Sequence, residues 1–219
     1  AVTYQDASKS PFSFGAYGQD EFSIRTNLTL NAGVRVDYFS TFGSTVNPRF
    51  GLVFQPSKSG TLKALCGRAY RAPNAYEFDY EDSSYKGNRN LKPETIESYE
   101  LVWEQGLATN YRLTGALFHN TIEDLITQGV DPRDGRFVFD NTDSVEVKGG
   151  EVELEGKWEH GVRARASYAF ADAVENATGR RLNNSPRHVG KLRLTVPVST
   201  DKVFASVELL ALSSRETAY

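Results

Sequence analysis

The chain has 219 residues, of which 39% are hydrophobic and 24% are charged, and its formal net charge is −3. This slight negative charge, with the basic residues scattered along the chain, argues against a nucleic-acid partner. No window of about 18 apolar residues occurs, which excludes a transmembrane helix, but a β-barrel exposes only alternate residues to lipid and escapes this test. Composition therefore leaves a soluble and a membrane β-protein as alternatives.

Neither the ends of the chain nor its single cysteine indicates a specific chemical function. Cys66 alone excludes a disulfide framework and a multi-cysteine metal site. Methionine is absent, and the opening AVTYQDASKS lacks the charged-then-apolar pattern of a signal peptide. The final run, ELLALSSRETAY, stops in or just after a strand-like segment. We expect a processed or excised piece of a longer protein.

Alternation of apolar and polar residues is the main structural signal. In NLTLNAGVRVDYF one parity is apolar from Leu28 to Tyr38, and the other carries polar residues such as Arg35. A period of two predicts strands, and no convincing amphipathic helix occurs. The predicted segments cover approximately residues 12–25, 26–39, 47–56, 61–71, 95–107, 110–122, 143–158, 161–173, 187–198 and 202–213.

Strand length and connection length both favour a membrane barrel. A tilted strand needs roughly 9–11 residues to cross a bilayer, whereas strands of soluble proteins cluster near 5–6. Short turns, such as PSKSG and EHG, alternate with long polar connections at 72–94, 123–142 and 174–186. Short turns on one side and long loops on the other are typical of outer-membrane barrels. We predict an all-β fold, an antiparallel meander of about ten long strands within a large transmembrane β-barrel.

Charged residues on the predicted strands define a second surface. Glu151 and Glu153 alternate with apolar residues in EVELEGKW, and Arg163 and Arg165 do so in GVRARASYAF. The two-residue period places all four on one face, which in a barrel would be the wet lumen. Arg35 follows the same rule, and we predict that these five residues face the lumen.

Arg68 breaks the alternation, because it shares the parity of Leu62 and Ala64 in TLKALCGRAYR. An arginine facing lipid near the middle of the membrane would cost roughly 2–4 kcal/mol. We therefore predict that Arg68 also points into the lumen.

Several motifs resemble one known family when they are taken in order. They are FGAYGQDEFSIRTNLTLNAGVRVDY, NPRFGLVFQPSKSGTLKALCGRAYRAPNAYEF, GNRNLKPETIESYELVWEQGL and NNSPRHVGKLRLTVPV. Together they are similar to the C-terminal part of TonB-dependent outer-membrane receptors, from about residue 12 to the end. The resemblance implies a 22-stranded barrel closed by an N-terminal plug, which imports scarce nutrients such as ferric siderophores.

The same resemblance implies the partners and the location of the protein. The partners are outer-membrane lipid, the receptor's own plug domain, a small-molecule ligand, and the TonB complex through an N-terminal part that this chain lacks. Residues 1–219 would form a partial barrel domain without the plug and the remaining strands, in the bacterial outer membrane. No cofactor is expected.

The connection APNAYEFDYEDSSYKGNRN, residues 72–90, is the candidate for ligand contact. Aromatic rings and guanidinium groups suit large, flat and often anionic ligands through stacking and charge-assisted hydrogen bonds. The alternative is that these rings fold onto the rim of their own barrel. The candidate residues are Arg71, Asn74, Tyr76, Phe78, Tyr80, Tyr85 and Arg89.

The sequence contains few features of a metal site or a catalytic site. His119, His160 and His188 are far apart and show no ligand spacing. No G-x-S-x-G motif or Ser, His and Asp grouping occurs, so we expect no enzyme activity and no metal site. A soluble all-β carbohydrate-binding or adhesion module stays as the alternative function. An acidic loop could bind calcium, although a solvated loop is favoured, and it contains Asp131, Asp134, Asp140 and Asp143.

Overall fold

The computed structural model describes residues 11–142, 144–199 and 202–216. Within these ranges, none of the helices has the length and apolar character needed to cross a membrane. The strands are β1 (Ser13–Arg25), β2 (Leu28–Phe39), β3 (Gly43–Ser57), β4 (Gly60–Arg71), β5 (Tyr85–Lys86), β6 (Glu94–Leu107), β7 (Tyr111–Glu123), β8 (Ile126–Val130), β9 (Phe137–Asn141), β10 (Ser144–Lys157), β11 (Arg163–Glu175), β12 (His188–Ser199) and β13 (Val203–Leu212). One short α-helix, α1 (Ala75–Asp79), and a 3-10 turn (Glu159–Gly161) complete the elements.

Ten strands form one antiparallel sheet in the order β1-β2-β3-β4-β6-β7-β10-β11-β12-β13. Every long strand pairs with the next long strand along the chain, as short turns between antiparallel neighbours allow. The predicted meander of about ten long strands is therefore confirmed. Three further strands, which the sequence did not predict, form a separate small sheet in the order β5-β9-β8.

The register separates an apolar face from a charged face. Leu154 lies opposite Leu113 on β7 and Ala166 on β11, and Glu153 lies opposite Thr114 and Ser167. The apolar face is open, with Leu154 42% exposed. An apolar surface of this extent is typical of strands that meet lipid.

The charged face holds five of the predicted lumenal residues. The same face of the sheet carries five of these residues when the register is followed from strand to strand: Arg35, Glu151, Glu153, Arg163 and Arg165. Arg165 lies 3.5 Å from the carboxylate of Glu153, and Arg35 donates to Asp37 at 2.6 Å. The shared face follows from the register, and its assignment to the lumen stays a prediction.

Arg68 lies beside an interruption of the sheet. The pairing of β3 with β4 ends at Arg49 and Gly67, one residue after Pro48, which has no N–H to donate. Where the strands part, Arg68 lines a cavity of about 580 Å³ together with Arg35 and Arg49. Its parity remains that of Leu62 and Ala64 across the β4 and β6 pairing. The shared cavity supports a lumenal side chain, which stays a prediction.

Candidate ligand-binding loops

Two long connections emerge at the same end of the sheet and join each other. We call residues 72–93 outer loop A and residues 124–142 outer loop B. Strand β5 of loop A pairs in parallel with β9 of loop B, Tyr85 opposite Phe137 and Lys86 opposite Val138. Strand β8 then pairs with β9 in antiparallel orientation. Backbone hydrogen bonds therefore make the two loops one structural unit.

Arg71 and Asn74, both predicted ligand contacts, build the base of loop A. Asn74 caps α1 by accepting from the N–H of Glu77 at 2.9 Å, and the Glu77 carboxylate accepts from the N–H of Asn74 at 2.8 Å. Arg71 donates to Glu77 at 3.0 Å and to both oxygens of Glu94 at 2.6 and 2.8 Å. Glu94 in turn accepts from the N–H of Ile126 in loop B at 2.7 Å. These partners assign both residues a structural role.

The aromatic candidates cluster between the loops. Tyr76 stacks on Tyr80 with ring centroids 4.6 Å apart, and it lies 5.9 Å from both Tyr85 and Phe139. Tyr85 also contacts Phe137 at 5.3 Å. The Tyr80 hydroxyl donates to Asp82 at 2.9 Å. The rings thus pack on one another and on loop B, and Tyr76 remains 44% exposed. Contact of these rings with a ligand stays a prediction.

A set of ion pairs holds the loops together. Lys86 donates to Asp131 at 2.6 Å and to Asp134 at 3.3 Å. The Lys86 ammonium, followed by the N–H of Arg133, keeps the pKa of the buried Asp131 carboxyl well below its usual range. Asp131 in turn raises the pKa of Lys86. The charged forms are therefore the stable ones at neutral pH.

Arg136 forms a second ionic link between loop A and loop B. Arg136 donates to Glu81 in loop A at 2.9 Å, and its Nη2 lies 3.1 Å from Asp134. Glu81 raises the pKa of Arg136, and the N–H of Arg136 lowers the pKa of Asp134. Asn141, which the sequence did not single out, donates to the carbonyl oxygens of Lys92 and Asp124 at 3.1 and 2.6 Å. Both charge pairing and amide hydrogen bonds join loop A to loop B.

A polar cavity of about 740 Å³ lies between the loops. Phe78 and Arg89, two of the predicted contacts, line it together with Arg133 of loop B. Arg89 donates to Asp79 at 2.8 Å, and Arg133 contacts Asp131 at 3.2 Å. The two arginine side chains remain 61% and 87% exposed. Guanidinium groups so placed can form charge-assisted hydrogen bonds with an anionic ligand.

The described part of the acidic loop, which includes Asp131, Asp134 and Asp140, shows no metal-binding arrangement. No cluster of three or more histidine, cysteine or carboxylate side chains suited to a metal ion occurs among residues 11–142, 144–199 and 202–216. Asp131 and Asp134 are engaged by Lys86, and Asp140 accepts from Asn88 at 3.2 Å. The remaining member of the predicted group, Asp143, lies outside the described residues.

The sequence profile described as "TonB dependent receptor-like, beta-barrel" matches residues 2–203. The chain belongs to the TonB-dependent receptor family. Members of this family are outer-membrane β-barrels, and the exposed apolar face agrees with that location. The alternative of a soluble adhesion or carbohydrate-binding module is therefore wrong. The similar proteins are receptors and transporters, which supports a protein without enzyme activity.

Three comparisons place this TonB-dependent receptor chain among known proteins. It is 31% identical over 162 residues to the vitamin B12 transporter BtuB of Vibrio vulnificus, covering 74% of the chain and 25% of that protein. It is 29% identical over 148 residues to the ferric enterobactin receptor of Pseudomonas aeruginosa, covering 59% and 19%. The crystal structure of the siderophore receptor PirA from Acinetobacter baumannii shares the fold, with a TM-score of 0.77, 19% identity, and coverage of 99% of this chain and 38% of that chain.

The chain spans less than a third of the length of the relatives that it matches, between 19% and 30%. It therefore corresponds to one section of a receptor barrel.

Proposed function

We propose that the chain forms part of an outer-membrane receptor for TonB-dependent uptake of a scarce nutrient, and that this nutrient is a ferric siderophore. The observation that carries the proposal is the cavity between outer loops A and B, which Phe78, Arg89 and Arg133 help to line. Both guanidinium groups remain exposed there although they pair with Asp79 and Asp131. Such a surface suits a flat, anionic metal chelate. The similarity to a ferric enterobactin receptor supports the same ligand class.

In this proposal the outer loops capture the ligand, and displacement of the plug opens a path through the barrel. The face that carries Arg35, Glu151, Glu153, Arg163 and Arg165 would line that path. Charged side chains are stable there because water fills the lumen. The plug domain, the TonB complex and the strands that close the barrel are the partners of the whole receptor.

A corrinoid such as vitamin B12 is the second candidate ligand. It is favoured by the BtuB relative, which has the higher identity of the two receptors compared above. A corrinoid ligand would make less use of the exposed arginines than an anionic chelate, because charge-assisted hydrogen bonds require an anionic partner.

The test is ligand binding by the full-length receptor, purified from outer membranes. Ferric catecholate and ferric hydroxamate chelates are compared with cyanocobalamin by titration calorimetry. We expect a ferric chelate to bind, and the double substitution Arg89→Gln with Arg133→Gln to weaken it at least tenfold. The matched control is Arg112→Gln, a change of the same chemistry at the opposite end of the sheet. Binding of cyanocobalamin without binding of any ferric chelate would overturn the proposal.

A further inference from the structure

A small cationic cavity lies on the charged face, at the end of the sheet that carries the short turns. It has a volume of about 360 Å³ and is lined by Arg163 and Arg165 of β11, Arg193 of β12 and Phe204 of β13. Among the described residues that line it, Glu155 is the one carboxylate. We call this cavity the short-turn niche. Three guanidinium groups therefore meet a single carboxylate in it.

Two of these arginines lie directly opposite each other in the sheet. Arg165 of β11 pairs in register with Arg193 of β12. Like charges in such a position destabilise a sheet. Arg165 approaches the carboxylates of Glu153 and Glu155 on β10, each at 3.5 Å. Arg193 lies 4.0 Å from Glu208 on β13. The two side chains thus lean toward opposite neighbouring strands, and the short-turn niche opens between them.

The guanidinium groups of the niche retain free hydrogen-bond donors. Within the part of the chain that the structure describes, none of Arg163, Arg165 and Arg193 donates a hydrogen bond to a protein acceptor. Arg35, on the same face, instead donates to both oxygens of Asp37 at 2.8 and 2.6 Å. The side chains of Arg165 and Arg193 also remain 54% and 59% exposed. Guanidinium donors gathered in this way suit an anionic ligand.

An aromatic ring and two hydroxyl groups complete the niche. Phe204 lies against the turn between β10 and β11, where a Cβ at Gly161 would be 3.3 Å from the ring. Gly161 has a φ of 83°, which favours glycine at this position. Thr195 lies opposite both Arg163 and Ser206, and the two hydroxyl groups share a hydrogen bond of 2.9 Å. The niche therefore places a flat apolar surface near guanidinium and hydroxyl groups.

The cavity between the outer loops has the same kinds of side chain. Phe78, Arg89 and Arg133 help to line that cavity, which is about twice as large, at about 740 Å³. The two cavities lie at opposite ends of the sheet, because the niche adjoins the turn at Glu159–Gly161. At about 3.4 Å per residue, the 13 residues of β11 place the two ends about 40 Å apart along the strand.

We propose that the short-turn niche is an exit site, which binds one anionic edge of the imported chelate after the chelate has passed the displaced plug. This inference rests on the proposed function, because it takes the same class of ligand. In an outer-membrane barrel the short turns face the periplasm, so the niche lies where the ligand leaves the lumen. Its smaller volume admits only part of the chelate. The chelate is therefore held more weakly there than between the outer loops, and weak binding favours its release.

The experiment compares ligand binding by the purified full-length receptor with ligand uptake by cells that carry it. The probe is a radiolabelled ferric catecholate chelate, and uptake is normalised to the amount of assembled receptor. We expect Arg163→Gln with Arg193→Gln to leave the dissociation constant at the outer loops unchanged. The same variant should lower the rate of uptake at saturating ligand at least about fivefold, because the charge-assisted hydrogen bonds of the niche are lost.

Two further variants serve as controls. Arg163→Lys with Arg193→Lys keeps both positive charges and should retain at least about half of the uptake. Lys63→Gln removes a cation on the same face, outside the niche, that is paired with Glu104 at 2.6 Å. Its uptake should equal that of the unaltered receptor. If the double glutamine variant fails to assemble, Arg163→Gln alone, at the first residue of β11, is measured in its place.

Normal binding together with unchanged uptake in the glutamine variant would overturn the exit site and leave the proposed function intact. Equal losses of uptake in the glutamine and lysine variants would also overturn it, because the positive charge would then be irrelevant. A loss of uptake accompanied by entry of a large hydrophilic antibiotic would mean that these arginines hold the plug, which likewise overturns it. Failure of the unaltered receptor to bind any ferric chelate would refute the proposed function, and the exit site with it.

Discussion

Lys86 of outer loop A donates to Asp131 of outer loop B at 2.6 Å, at the point where β5 pairs with β9. The pair joins residues that are far apart in sequence, and the Asp131 side chain is almost fully buried beneath it. Both pKa shifts favour the charged pair, since Lys86 lowers the pKa of Asp131 and Asp131 raises that of Lys86. The link between the loops is therefore sensitive to pH at its extremes.

The stabilisation from this pair should be constant at neutral pH and should decline in acid. A depressed carboxyl pKa contributes stability above the unfolded value, about 3.9, and loses it as the pH falls toward the folded value. A raised lysine pKa contributes below its unfolded value, about 10.4, and loses it as the pH rises through the folded value. Amide hydrogen exchange of residues 126–141, corrected for intrinsic rates, should thus accelerate only below about pH 4 or above about pH 10.

The variant Asp131→Asn should exchange faster at pH 6 and should show a smaller additional acceleration in acid, where Asp134 still titrates. Glu159→Gln, in the turn at the opposite end of the sheet, is the matched control and should retain the profile of the unaltered receptor. An identical acid profile in Asp131→Asn would mean that another group controls the loop unit.

Gly149 should not tolerate a side chain, whereas Gly115 should. A Cβ at Gly149 would overlap the backbone carbonyl of Phe170 and the ring of Phe118, while a Cβ at Gly115 meets nothing closer than 4.0 Å. We expect Gly149→Ala to destabilise the barrel by about 1–3 kcal/mol through overpacking. Gly115→Ala should be neutral or slightly stabilising because glycine weakens a strand interior. Urea unfolding of the full-length receptor in detergent measures the stability of both variants. Equal stabilities of Gly149→Ala and Gly115→Ala would contradict this packing.

Leu154→Arg should prevent assembly, and Glu153→Ala should be tolerated. The two side chains are neighbours on β10 but lie on opposite faces. Arginine on the lipid face costs roughly 2–4 kcal/mol near the midplane, whereas a lumenal glutamate is solvated. The amount of heat-modifiable barrel in outer-membrane fractions is the measurement. Similar losses in both variants would mean that the apolar face does not meet lipid.

Replacement of both Tyr76 and Tyr80 by alanine should weaken ligand binding at least tenfold, which corresponds to about 1.4 kcal/mol. The two rings stack, and their loss would loosen the contacts of loop A with Phe139 of loop B. The amount of assembled barrel should not change, since the cluster lies outside the main sheet. Tyr111→Ala, at the short-turn end, serves as the control. Unchanged affinity would show that the aromatic cluster neither contacts the ligand nor positions the residues that do.

The main sheet could be predicted from the sequence because each strand has one apolar face and one polar face. Apolar and polar residues therefore alternate along the sequence of the strand. The apolar parity of Val152 and Leu154, against Glu151 and Glu153, fixes both the strand and its register, since a slip of one residue would exchange the faces. The sequence predicts that β3 starts at residue 47, whereas the strand begins at Gly43. Its first residues, GSTV, alternate weakly and pair only with β2.

The loop unit could not be predicted in the same way. Strand β5 contains two residues, Tyr85 and Lys86, which is too short to show a period. Its partner strand lies about 50 residues later, in RFVFD. The alternation of Phe137 and Phe139 in that segment is a pattern typical of a strand. The sequence predicts that Arg71 contacts ligand, and the folded chain shows that its guanidinium also binds Glu77 and Glu94. The ligand contact stays a prediction. Composition identifies guanidinium groups, and only the folded chain shows which of them are already paired.

The parallel pairing of β5 with β9 limits how these receptor loops can be exchanged. A chimaera in which only residues 72–93 are replaced would place a different strand against β9. It would also remove the Tyr85 ring, which packs on Phe137. The same exchange would replace Lys86 and remove the ammonium group that pairs with the buried carboxylate of Asp131. Residues 72–93 and 124–142 therefore form a single cassette, and a new ligand specificity would have to be grafted as this pair of segments from one donor.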